Sequence, residues 1–237
     1  MTYKKLISLS IFALWTISTI AQTDMHSILE EEKTTIPKQN NLPTAGTTRQ
    51  DSLAQVVKAD YDSIKSFSTK FTELNYKKSS NESEDLSGKL YYDAIGRISL
   101  LYTEPEGDFL IIDGTSVTLQ RYGKKQHLDT GKQSHKTIFY TTILHAVNGD
   151  VQTIADELDA NIRSRQDNKY YNFSLKRRNT HKAGKHDITK VQLRYNLRTG
   201  ALAYINITDG AGNTNTIALQ HPQINNTIPE SVFNTKR

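Results

Sequence analysis

The most legible part of the chain is the run GKLYYDAIGRISLLYTEPEGDFLIIDG from Gly88 to Gly114, where apolar and polar side chains alternate in short segments separated by turns. Strand side chains project to opposite faces with period two, so Leu90 and Tyr92, then Ile98, Leu100 and Tyr102, then Leu110 and Ile112, share one face of a sheet. The same reasoning predicts strands over Phe67–Lys77, Asp85–Asp93, Arg97–Thr103, Asp108–Ile112, Ser116–Arg121 and Gln126–Asp129. Ala94-Ile95-Gly96, Glu104-Pro105-Glu106-Gly107 and Asp113-Gly114 punctuate them as tight turns, which makes the region an antiparallel meander. The face it builds is large, apolar and aromatic. Either helices fill it as an ordinary core, or part of it stays open to a hydrophobic ligand.

Helical spacing appears in three places. Leu53, Val56, Val57, Tyr61 and Ile64 predict a helix over Arg49–Lys65, with Thr47, Thr48 and Asp51 supplying oxygens to its first turn. Ile138, Phe139, Ile143, Leu144 and Val147 predict a second over Thr137–Val147, and Ile154, Ala155, Leu158 and Ile162 a third over Val151–Ile162, the two split by Asn148-Gly149-Asp150. Strands resume over Tyr170–Lys176, Lys190–Leu197, Ala201–Asp209 and Asn213–Leu219, and Asn225–Phe233 closes with one short turn. Helix, meander, helix pair and further meander define an α+β fold.

Ahead of these elements, Lys4 and Lys5 precede an apolar run from Leu6 to Ile20 and the small residue Ala21. The run is shorter than the ~20 residues of a spanning helix, so residues 1–21 read as a cleavable signal peptide and the mature protein as exported and soluble. Residues 22–48 are polar, with Glu30-Glu31-Glu32-Lys33, Pro37 and Pro43, and read as a flexible leader before a folded domain over 49–237.

Composition narrows the chemistry. With no cysteine the exported chain has no disulfide framework, no thiolate chemistry and no acceptor for lipid attachment after the signal peptide. The full chain carries a net charge of +5, or 5 − 2 = +3 once Lys4 and Lys5 leave with the signal peptide, which is mild, and the one basic concentration is Lys176, Arg177, Arg178, His181, Lys182, Lys185 and His186, at a hairpin tip. That run reads as a solvated loop, with contact to anionic headgroups or an acidic partner as its functional alternative. No nucleic-acid-binding motif is present. His145, His181, His186, Asp156 and Glu157 are the catalytic candidates, and none sits in a nucleophile, phosphate or metal motif; His181 and His186 beside Asp187 lack a fourth nearby ligand. The chain is expected to be no enzyme and to need no cofactor or metal.

The order of elements, with Ile64-Lys65-Ser66-Phe67-Ser68-Thr69-Lys70-Phe71-Thr72, Gly88-Lys89-Leu90-Tyr91, Tyr102-Thr103-Glu104-Pro105, Ile111-Ile112-Asp113-Gly114, the hairpin from Ile205 to Leu219 and the closing Ile228-Pro229 with Phe233, resembles the LolA family of periplasmic lipoprotein carriers over Ser52 to Phe233. The resemblance implies an unclosed antiparallel β-barrel covered by helices, LolA-like, with a cavity for lipoprotein acyl chains. It implies loading by an inner-membrane ABC-type lipoprotein-releasing complex, unloading to an outer-membrane acceptor, a monomeric carrier and a periplasmic location. Phe67, Phe71, Leu90, Ile98, Leu100, Tyr102, Leu110 and Ile112 match the family's inward positions, and alternation adds Val117 and Leu119; these ten are the expected acyl pocket. One departure stands out: the family's Arg-Pro pair after the Gly88 strand, which closes the empty cavity, is here Ala94-Ile95, and Arg97 is not assigned that role. A carrier of another lipid or hydrophobic pigment or precursor in a specialised cell-envelope pathway is the alternative reading.

Overall fold

The computed structural model describes residues 52–236. The readings of 1–21 as signal peptide and 22–48 as leader, and the first turn expected for the helix at Arg49, lie outside the described residues. Helix α1 (Ser52–Asp62) runs into strands β1 (Ser66–Lys77), β2 (Glu82–Asp93), β3 (Arg97–Glu104), β4 (Phe109–Asp113), β5 (Ser116–Arg121) and β6 (Lys124–Asp129). Helices α2 (His135–Val147) and α3 (Val151–Glu157) follow, then β7 (Ala160–Gln166), β8 (Tyr170–Arg177), β9 (Ile188–Asn196), β10 (Leu202–Asp209) and β11 (Thr214–Ile224), with a last 3-10 turn at Glu230–Phe233.

The strands form one antiparallel sheet in the order β6-β5-β4-β3-β2-β1-β11-β10-β9-β8-β7. Pairing of β1 with β11 puts the first and last strands at the centre, so β6 and β7 become the two edges, and they do not pair with each other. The chain must therefore cross from one edge to the other between Asp129 and Ala160, and α2 and α3 occupy that crossing. This is why the barrel is unclosed and why helices cover its inner face. The expected fold class is the one observed.

The registers fix the inner face. On β1 and β2, Phe67 stands across from Tyr92, Thr69 from Leu90 and Phe71 from Gly88; Ile98 and Leu100 continue the rows on β3, Leu110 and Ile112 on β4, and Val117 and Leu119 on β5. The rows extend through Leu219 and Ile217 on β11, Ile205 and Ile207 on β10, and Leu193 and Val191 on β9. Gly88 lets Phe71 lie flat against the sheet: a Cβ there would fall 2.2 Å from the Leu101 carbonyl oxygen and 2.8 Å from the Phe71 ring. The outer face of β3 and β4 is covered too. Val232 and Phe233 are buried, the Ser99 hydroxyl donates to the Val232 carbonyl at 2.7 Å, and Arg97 grips Glu230 at 2.5 and 2.9 Å while stacking 4.2 Å over the Phe233 ring. Cover on both faces explains why Phe109-Leu110-Ile111-Ile112 is continuously apolar.

One expected element differs. The third helix stops at Glu157 rather than Ile162, because Asp159 takes a left-handed backbone conformation with φ 47° and Ala160–Gln166 then pairs along β8. Ile162 satisfies both periods, and its neighbours Asn161, Arg163 and Arg165 give an edge strand without the apolar alternation that identifies buried ones. β11 also runs on to Ile224, five residues past its expected end.

Candidate functional site

The helical cover is fastened at one end. The Tyr195 hydroxyl, fully buried, donates to the Ala146 carbonyl at 2.8 Å near the end of α2, and the Tyr61 hydroxyl on α1 accepts the Leu202 backbone N–H at 2.6 Å. The two tyrosine rings meet edge to face at 5.9 Å, and Gly149 packs against Tyr61 so closely that a Cβ would come within 2.4 Å of the ring. Burial raises the ionisation of both hydroxyls far above the ordinary tyrosine range, so they act as fixed neutral hydrogen-bonding groups.

At its other end α2 stands over open space. Ser134 caps it, accepting the Thr137 N–H at 3.2 Å while Thr137 Oγ1 accepts the Ser134 N–H at 2.8 Å. The first turns then carry His135, Lys136, Phe139 and Tyr140 along the wall of a cavity of about 970 Å³. Leu119, Ile188 and Ile207 supply its apolar walls, the ends of β1 and β2 (Asn75–Lys77 and Glu82–Glu84) its polar ones, and Asp209 and His186 part of its rim. The His186 and His135 rings stack at 5.3 Å across that rim. A second, smaller space of about 170 Å³ lies behind, sharing Asn75, Leu119, Phe139, Tyr140 and Asn215 with the first and reaching Leu100, Tyr102, Leu110 and Ile217.

A polar cluster is set into this otherwise apolar wall. Buried Glu73 accepts the Tyr102 hydroxyl and the Asn215 amide, each at 2.7 Å; Asn215 also donates to Asn75 Oδ1 at 2.6 Å, and Asn75 to Glu84 at 3.3 Å. Arg121 lies 4.6 Å over the Tyr102 ring, with Asp108 at 3.7 Å and Glu84 at 3.9 Å. Burial first, and the Glu73 carboxylate second, push the Tyr102 and Tyr140 hydroxyls above their ordinary value and keep them neutral donors. Nothing in the sequence reading pointed to this cluster. Its one available signal was parity, because Glu73 and Asn75 fall two and four residues after Phe71 on the same face.

Of the ten expected pocket residues, Leu100, Tyr102, Leu110 and Leu119 line the smaller space, and Leu119 lines the larger as well. Phe67, Phe71, Leu90, Ile98, Ile112 and Val117 lie on the same face, fully covered, and belong to neither lining. Ala94 and Ile95 form the β2–β3 turn, where Ile95 is 80% exposed, and Arg97 holds the C-terminal segment on the outside. His145 pairs with Glu157 at 3.4 Å on the helix surface, and His181 sits in an exposed 3-10 turn. Among the described residues no three His, Cys, Asp or Glu side chains converge as a metal site, and no helix is long and apolar enough to cross a membrane.

Residues 62–236 match the protein family described as outer membrane lipoprotein carrier protein LolA. No curated protein matches the chain. Among solved structures it is similar to a LolA superfamily protein from Nitrosomonas europaea (11% identity, 76% of this chain and 97% of that one, TM-score 0.36) and to an uncharacterized conserved protein from Thermus thermophilus (9%, 76% and 93%, 0.44). It is also similar to a chain of the MucA/MucB complex of Pseudomonas aeruginosa (12%, 77% and 60%, 0.46).

Proposed function

We propose, because this chain belongs to the LolA family of outer membrane lipoprotein carrier proteins, that it is a non-catalytic periplasmic carrier that takes up the acyl chains of lipoproteins and conveys them from the inner to the outer membrane. The observation that carries the reading is the cavity of about 970 Å³ between α2 and the sheet, walled by Leu119, Phe139, Ile188 and Ile207. Its size falls at the top of the range of sites that enclose a ligand. Each methylene buried contributes about 0.8 kcal/mol, so roughly ten of them supply about 8 kcal/mol before ordering costs, without any directional contact.

Hydrocarbon enters beneath the first turns of α2, beside Phe139 and Tyr140, and runs toward Leu100, Tyr102 and Leu110. The covered residues Phe67, Phe71, Leu90, Ile98, Ile112 and Val117 form the floor that sets the curvature of the site. With Ala94-Ile95 in the place of an Arg-Pro gate, closure rests on the tyrosine fastenings at the far end of α2. Export through residues 1–21, loading by an inner-membrane ABC-type releasing complex and delivery to an outer-membrane acceptor belong to the same reading.

A second reading, carriage of another lipid or hydrophobic precursor, is favoured by the polar cluster of Glu73, Asn75 and Asn215, which gives one wall hydrogen-bonding capacity that a purely hydrocarbon site does not need. Mass spectrometry of the protein purified from the periplasm separates the two. Acylated peptides support the first, another lipid the second, and a consistently empty protein or a polar small molecule refutes both.

A further inference from the structure

The two halves of the sheet differ in charge on their outer face. Among the strands β1–β5 that face mixes signs, with Asp85, Asp93 and Asp113 alongside Lys70, Lys89 and Arg97. The five strands β7–β11 contain a single acid, Asp209, and its carboxylate is bound by the backbone and side-chain N–H groups of Asn213 at 2.9 and 2.8 Å at the cavity rim.

The registers turn that composition into a surface. Lys176 pairs across to Lys190, Arg163 stands beside Ser174 and Gln192, and Arg165 stands beside Asn172 and Arg194, three successive outward rows on three adjacent strands. Rows two residues apart along strands about 4.8 Å apart put the five cations in a field about 13 Å long and about 10 Å wide. Arg163, Arg165 and Lys176 are exposed, and Lys190 and Arg194 half-buried, the last lying 4.9 Å over the buried Tyr204 ring. The carboxylates at the strand ends are engaged: Asp159 with Arg178 at 3.1 Å, and Asp167, which the charge of Arg165 also attracts, with the N–H groups of Lys169 and Tyr170 and the Asn172 amide, each at 2.8 Å. The field begins at the cavity rim, since Lys190 is two residues from Ile188 in the cavity wall.

We propose that the outer face of β7–β9 docks on the anionic phospholipid headgroups of a bilayer. A protein partner would be expected to meet an exposed aromatic or aliphatic anchor. Within these three rows the field offers none: Tyr204 is covered, and half-buried Tyr170 stands one row beyond Asn172 at its border, so what the field presents instead is spread positive charge among Ser, Asn and Gln hydrogen-bonding groups, the chemistry that matches a headgroup plane. The proposal rests on the carrier reading only for its purpose, which is to hold the cavity rim near a membrane during transfer.

The test is co-sedimentation of the mature chain, residues 22–237, with vesicles of neutral phosphatidylcholine, with and without phosphatidylglycerol, at low and high salt. One variant carries Arg163→Gln, Arg165→Gln, Lys176→Gln and Lys190→Gln. A charge-matched control carries Lys70→Gln, Lys89→Gln, Lys124→Gln and Lys132→Gln. Each basic side chain near an anionic leaflet contributes about fivefold in partition, less when screened, so the first variant is expected to bind anionic vesicles at least about tenfold more weakly and the control to bind almost as the parent does. Equal binding to neutral and anionic vesicles, insensitivity to salt, or an equal loss in the control overturns the proposal. So does selective retention by an acidic protein surface with no vesicle binding. Titration with a fluorescent fatty acid, run on the same proteins, reads the cavity independently: loss of vesicle binding with fatty-acid binding intact separates the face from the carrier reading.

Discussion

Leu119 and Ile98 are both inward-facing aliphatic side chains of the same sheet, yet the structure gives them different tasks, and substituting each tests whether cavity and core are distinct. Leu119 is partly exposed, stands across from Leu110 and Gln126, and borders both open spaces; Ile98 has no exposed surface and packs between Tyr92 and Ile112. In Leu119→Glu the new carboxylate keeps water through the cavity and lies on the same face as Arg121, so the folded state loses less than about 1 kcal/mol, as for most partly exposed positions. Its hydration shell excludes roughly two methylenes of a bound chain, about 1.6 kcal/mol or about fifteenfold in affinity. Ile98→Ala instead empties packed volume and costs about 2–5 kcal/mol of stability. Acyl affinity in that variant should stay within about twofold of the parent, since the residue borders neither space. Urea denaturation measures the first quantity and titration with a fluorescent long-chain fatty acid the second. If Leu119→Glu binds as tightly as the parent, or if Ile98→Ala loses affinity to the same degree, hydrocarbon does not occupy the space beneath α2.

Two further outcomes follow from single contacts. Tyr61→Phe removes the acceptor of the buried Leu202 N–H and should cost about 1–3 kcal/mol in urea midpoint analysis with an unchanged slope, whereas an unaltered midpoint would mean that the bond is replaced. Glu230 is held below its ordinary carboxylate value by the Arg97 guanidinium, so its contribution is complete above the unfolded value and is lost as pH falls through the lower folded one. Hydrogen exchange across 230–236 should therefore quicken relative to the sheet between about pH 6 and about pH 3, and Glu230→Gln should exchange quickly at both.

The strands of β1–β5 were readable because each carries at least two inward apolar residues in alternation and they are separated by turns with their own chemistry, such as Asp113-Gly114. β7 was not, because an edge strand needs no outward apolar residue and its inward pair, Ala160 and Ile162, also suits a helix; only pairing with β8 decides between them. The ten inward residues illustrate a different limit. Phe67 and Leu119 obey the same alternation, and what separates a covered core position from a cavity wall is the place where α2 ends its contact, a property of tertiary packing that no local pattern encodes. The polar cluster was hidden for a related reason, since Glu73 meets Asn215 only through the β1–β11 register that joins the two ends of the domain.

That packing also decides how the site can open. The second half of α2 carries Thr142, Ile143, Leu144, Ala146 and Val147, all buried, and is tied to Tyr195; its first half carries exposed His135 and Lys136 and half-buried Phe139 and Tyr140 over the cavity. Lifting the first half uncovers buried Thr137 and the core-facing sides of Ile138, Phe139 and Tyr140, while lifting the second uncovers five buried side chains and also breaks the buried Tyr195–Ala146 hydrogen bond. At about 25 cal/mol per Å² of apolar surface, the two motions differ by several kcal/mol. If the protein carries acyl chains as proposed, entry pivots about the Ala146–Tyr195 contact and widens the rim between His135 and His186, so a disulfide joining those two positions should block uptake without altering the fastened end. Normal fatty-acid binding by the oxidised His135→Cys/His186→Cys protein would show that ligand enters elsewhere.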